Sequence, residues 1–224
     1  MIRVSETNLL LAALAVGILG LGVPRTLDSL MQLQAGGTED LANADTFQDI
    51  AARNIDAARL ERIDARFHDP AASIRAGTIE YALAATGGDA DHAQIDAAIT
   101  DLESGLARAP ADPKGWMMLA RARAQLGDRG GARLALRNSI AIAPHDPALA
   151  LARAEFGLQL LSDLQPEERQ LVSEQIRLAA ADQFAGLVRY VQNGGDPTPI
   201  TSALAGDHDK VAALLAAISP AAKN

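Results

Sequence analysis

The chain contains no cysteine. Disulfides, thiolate nucleophiles and cysteine-based zinc or iron–sulfur sites are therefore excluded, although this absence does not assign a compartment. Aromatic residues make up only 3% of the sequence, and runs of β-branched residues are nearly missing. Ala and Leu carry most of the apolar content instead; both are strong helix formers, and no stretch alternates apolar and polar residues as a strand would. An all-α chain is expected. A basic surplus is lacking too: 20 Lys and Arg face 28 Asp and Glu, a net charge of −8 that argues against general nucleic-acid binding.

Recognisable catalytic frames are also missing. There is no G-x-S-x-G element, and His68, His92, His145 and His208 are isolated from one another and from any HExxH frame. The Asp207-His208-Asp209 triplet reads as a polar helix start. Gly127-Asp128-Arg129-Gly130-Gly131 is glycine-rich but lacks the P-loop lysine, so it reads as a turn between helices. Glu167-Glu168 and the Asp89/Asp91 pair fall at predicted helix starts, where carboxylates oppose the positive end of the helix dipole. No enzymatic activity, cofactor or metal is expected.

What is present begins with an uninterrupted apolar run, Leu9 to Val23, with Arg3 before it and Pro24-Arg25 after it. At about 1.5 Å per residue this run is short for a bilayer span, so Thr7, Asn8 and the following turn would sit at the interfaces. Residues 9–23 are read as a retained signal anchor within a membrane segment 1–34; a cleaved signal peptide is the alternative. The near-balance of Arg3 and Arg25 leaves orientation weakly specified. A single-pass bacterial inner-membrane topology with a periplasmic C-terminal domain is expected. Residues 35–43 form a linker broken by Gly36 and Gly37, residues 44–218 a helical domain, and residues 219–224 a tail.

Four Asp-Pro pairs punctuate the helical domain: Asp69-Pro70, Asp112-Pro113, Asp146-Pro147 and Asp196-Pro197. Each places a side-chain acceptor before a proline suited to the first helical turn, and each predicts a helix start. Helices are expected over Ala44–Phe67, Pro70–Thr86, Asp91–Ala109, Ala148–Leu161, Pro166–Ala181, Gln183–Gln192, Pro199–Ala205 and Asp209–Ile218, and across Trp116 to Pro144. In that last stretch Trp116, Leu119, Ala120, Ala132, Leu136 and Pro144 occupy the conserved-type positions of a 34-residue helix pair, and the chain resembles the tetratricopeptide-repeat family there. Ala120 stands for the usual Gly, Leu136 for Phe, and Arg123 for an aromatic residue. Ala98, Leu102 and Pro110 repeat part of the pattern one period earlier. The resemblance implies a TPR-like α-solenoid of antiparallel helix pairs with a docking surface on its concave side, and the apolar run 9–23 places an N-terminal transmembrane helix before it.

Charge is unevenly distributed. Residues 38–103 hold fourteen Asp/Glu against five Arg, whereas residues 113–160 hold seven Lys/Arg against three Asp/Glu. With Trp116 directed into its own repeat, Lys114, Met117, Met118, Arg121 and Gln125 are expected to face the concave side as a partner-binding groove, where methionines adapt and arginine pairs with carboxylates. Arg189 is expected to lie away from that groove. The stretch from Ala143-Pro-His-Asp-Pro through Leu164-Gln-Pro-Glu-Glu-Arg and Gln175-Ile-Arg-Leu also resembles membrane-anchored repeat proteins associated with bacterial exopolysaccharide or O-antigen assembly. That resemblance implies a scaffold recruiting protein partners for envelope polysaccharide biosynthesis or export. An apocytochrome-binding chaperone of c-type cytochrome maturation is the alternative, and a polysaccharide-modifying enzyme a third reading.

Overall fold

Aspartates start the helices, and their side chains can be followed one by one. In the computed structural model, which describes residues 58, 60, 61, 64, 69–86 and 92–218, Asp69, Asp146 and Asp196 each accept a hydrogen bond from the amide two residues on, at 2.8–3.0 Å. Asp112 accepts from the Gly115 amide and Asp128 from the Gly131 amide. The amides so bonded would otherwise lack intrahelical acceptors. Gly127 takes φ +82° in the turn before Asp128, a conformation that strains any residue with a Cβ.

The helices are α1 (Pro70–Thr86), α2 (His92–Arg108), α3 (Pro113–Gln125), α4 (Arg129–Ile142), α5 (Pro147–Gln159), α6 (Pro166–Asp182), α7 (Phe184–Gln192), α8 (Thr198–Ala203) and α9 (His208–Ile218). No strand occurs among the described residues, and the all-α expectation is met there. Successive pairs α1–α2, α3–α4 and α5–α6 pack as antiparallel hairpins. Contacts between α1 and α3, α3 and α5, α5 and α7, and α7 and α9 make one row of odd-numbered helices; α4, α6 and α8 make the opposite row. The result is a solenoid-like stack. No helix among the described residues is long and apolar enough to cross a membrane. The expected anchor 1–34 with its apolar run, the linker 35–43, the tail 219–224 and nearly all of the expected Ala44–Phe67 helix lie outside the described residues.

Small residues set the distance between helices. A Cβ on Gly77 would come 2.6 Å from the Ala98 carbonyl oxygen, and one on Gly105 would come 2.8 Å from that of Pro70, so α1 and α2 touch backbone to backbone. In the next hairpin Leu119, Ala120, Ala132 and Leu136 are all buried in the main core. Arg123, in place of an aromatic residue, bonds Glu103 at 2.6 Å and reaches the Gly131 carbonyl, tying α3 to α2 and to the following turn.

One expected packing position is corrected. Pro144 is exposed rather than packed, because it lies in the turn after α4, where its carbonyl accepts from Gln175 Nε2. Trp116 packs its half-buried ring against the main core, beside Pro110, Asn138, Ala141 and Ile142, and its indole N–H donates to the Pro110 carbonyl at 2.8 Å. Trp116→Phe should therefore keep most of the ring packing and lose that bond, lowering unfolding stability by about 1 kcal/mol in urea titration. A loss above about 3 kcal/mol would place the indole in the core instead.

Candidate functional site

A cleft opens along the odd-numbered row. About 410 Å³ in volume, it is lined by Tyr81 from α1, Arg121, Ala124 and Gln125 from α3, Arg129 from α4, and Glu155, Phe156, Gln159 and Leu160 from α5 and its end. Its register follows from the repeat. Arg121 and Glu155 lie 34 residues apart, as do Gln125 and Gln159, so successive odd helices present equivalent positions to one face.

The same spacing leads from Glu155 to Arg189. On α7, packed against α5 with Gly186 under Leu151, Arg189 lies close enough for its charge to act on Glu155. Burial raises the Glu155 carboxyl above its ordinary pKa, while Arg121 and Arg189 pull it down. Burial likewise raises the Tyr81 phenol, with Arg121 opposing. Arg189 is thus a neighbour of the cleft and not the remote position expected for it.

Of the five expected groove residues, Arg121 and Gln125 line the cleft. Lys114 is exposed one helical turn or more toward the other end of α3, and Met118 packs its partly buried side chain against the core. Met117 is fully buried and is corrected from groove to core, because it points to the side of α3 that meets the other helices. Tyr81, Glu155, Phe156 and Gln159 were not anticipated. Adding one 34-residue period to Arg121 and Gln125 would have found Glu155 and Gln159.

The basic segment is less basic in space than in sequence. Arg123 pairs with Glu103, Arg129 with Asp163 and Arg133 with Glu168, all acids outside residues 113–160. Arg129 also bonds the Gln159 carbonyl, forming a fixed wall of the cleft. Arg153 is fully buried, its guanidinium donating to Ser139 Oγ, the Ser139 and Ala143 carbonyls and Gln175.

A second polar cluster lies where the upstream helical residues meet α1 and α2. Oxygens of Glu61, Glu80 and Asp101 fall within 4.8 Å of one another, and Glu80 Oε2 and Asp101 Oδ2 are buried with no hydrogen-bond partner. Burial, then the Glu61 hydrogen bond and the charges of Asp101 and Glu61, raises the Glu80 pKa to about 8. Burial and the charges of Glu61 and Asp64 raise Asp101 to about 6. Of the carboxylate pairs singled out in the sequence, Glu167 and Glu168 lie in the first turn of α6, and Asp89 and Asp91 lie outside the described residues. His92, His145 and His208 are each exposed and far apart in the chain, at the start of α2, the α4–α5 turn and the start of α9.

Fold and cleft together define an all-α stack of helix hairpins with an arginine- and carboxamide-lined groove on one row. No protein-family model, curated protein or solved structure matches the chain.

Proposed function

We propose that the chain is a TPR-like docking scaffold that holds a segment of a partner protein in the odd-row cleft. The supporting observation is the cleft's composition: a tyrosine, two carboxamides and Arg121, which makes no ion pair among the described residues, over apolar Ala124, Phe156 and Leu160. Such a surface can hold both the main chain and the side chains of another polypeptide. With residues 9–23 as the anchor, the scaffold belongs at a bacterial inner membrane, and the proposed partners are subunits of envelope polysaccharide assembly or export. Apocytochrome c is the alternative client, since a repeat protein with a membrane anchor serves both roles equally well.

The test is affinity isolation of the full chain from native membranes. Glycosyltransferase or export subunits in the eluate would support the first reading, and apocytochrome c with its maturation proteins the second. Either partner should be reduced at least about tenfold by Arg121→Glu, while Arg137→Glu, an exposed arginine on α4, should leave it unchanged. Equal recovery with both variants would remove the cleft from the binding site.

A further inference from the structure

We propose that the cleft selects an extended partner segment in which charged side chains recur at every third residue in the order acid, base, acid: D/E-x-x-K/R-x-x-D/E. This inference rests on the docking reading above and adds what the docked segment must look like.

Three observations carry it. Arg121, Glu155 and Arg189 stand on three successive members of the odd row, one 34-residue period apart, and so present the signs plus, minus, plus along the face. None of the three takes part in an ion pair among the described residues, whereas Arg123, Arg129 and Arg133 do. Arg121 and Arg189 both bias Glu155 electrostatically without touching it, which leaves room between them for another charge.

The spacing then follows from general dimensions. Packed helices lie about 8–10 Å apart, and a guest in the extended polyproline II conformation advances about 3.1 Å per residue and returns every third side chain to the same face. One step between odd helices therefore spans about three residues of an extended guest. Gln125 and Gln159 lie four residues beyond Arg121 and Glu155 along their helices, and each carboxamide can both donate to and accept from the guest's main chain. The order acid, base, acid is the same in either chain direction, so the selection does not depend on which way the segment runs. A wholly acidic segment would set a carboxylate against Glu155, and a sign-reversed one would set like charges at all three places; discrimination arises from those repulsions as much as from the matched pairs.

The experiment measures fluorescence anisotropy of the full chain, kept in detergent micelles, with three labelled peptides whose x positions are Ser and Thr: E-x-x-K-x-x-E, its reversal K-x-x-E-x-x-K, and E-x-x-E-x-x-E. At low ionic strength the first should bind at least about tenfold tighter than either of the others. The triple reversal Arg121→Glu, Glu155→Arg, Arg189→Glu should invert the preference between the first two. Should that variant lose its helical circular dichroism, Glu155→Gln decides instead, because it should raise the affinity of the all-acidic peptide and lower that of the first. Equal affinities for the three peptides, unchanged preferences in the variants, or no binding of the first peptide at about 1 mM would overturn the charge pattern. The docking reading itself stands or falls separately, on whether native partners are lost with Arg121→Glu.

Discussion

Arg153→Ala should cost the fold about 3–5 kcal/mol, the range for truncating a large, fully buried side chain to alanine. The side chain is 0% exposed, yet no carboxylate bonds it. What holds the cation is the end of a helix. Its Nη2 donates to the Ser139 carbonyl at 2.6 Å and its Nη1 to that of Ala143 at 2.7 Å; these oxygens belong to the last turn of α4 and its cap, where the helix dipole is negative. Burial lowers the Arg153 pKa, and the Asp146 charge opposes that shift. Gln175 bonds both Arg153 and the Pro144 carbonyl, so the same network joins α4, α5 and α6. Truncation would take the guanidinium from the Ser139 and Ala143 carbonyls and open a large void, while the Ser139 hydroxyl keeps its bond to the Pro113 carbonyl. Arg153→Met should recover packing and not the bonds, falling between wild type and alanine. Urea unfolding checks this, and a loss below about 1 kcal/mol for the alanine variant would contradict it.

Stability should also fall as pH rises from about 5 to 9, through the Glu61–Glu80–Asp101 cluster. Glu80 binds its proton more tightly when folded, at about 8 against an ordinary 4.5, and Asp101 at about 6 against 3.8. Between those values the folded state holds more protons than the unfolded one. The stabilisation is therefore complete below the ordinary carboxylate range and is lost as pH passes through the folded values. Glu80 and Asp101 repel each other's charge, so the loss should be spread over the interval. Glu80→Gln keeps a neutral group of the same shape at all pH values. It should flatten the profile and stabilise the protein by about 1–3 kcal/mol at pH 8.5, the scale of a buried group's unmet solvation. Thermal melts across the range test this; a flat wild-type profile, or a glutamine variant that melts lower at pH 8.5, would contradict it.

Helix boundaries were legible in the sequence where one residue type has one local job. The Asp-Pro pairs mark helix starts because the capping interaction is made within two or three residues, and α1 begins at Pro70, α3 at Pro113 and α5 at Pro147 as those pairs imply. Facing was harder. Met117 and Met118 are neighbours in sequence but about 100° apart on a helix, so an assumed direction for Trp116 misplaced Met117. The cleft is lined from four helices, and only the full 34-residue period relates Arg121 to Glu155 and Arg189. Arg153 gave no signal, since arginine is seldom fully buried and its partners are main-chain carbonyls that sequence does not distinguish. The Glu80–Asp101 contact depends on how closely α1 and α2 approach, which Gly77 and Gly105 decide from different helices.

Docking of partners on the odd-numbered row can be read out by site-specific photocrosslinking. A photoreactive residue placed at Gln159, within the cleft, and another at Asn138, on the outer edge beside Trp116, sample opposite sides of the stack. After irradiation of native membranes, the Gln159 probe should yield a discrete adduct that disappears when Arg121→Glu is added, and the Asn138 probe should yield none of that species. The same adduct from Asn138, or an adduct at Gln159 that persists with Arg121→Glu, would contradict docking in the cleft.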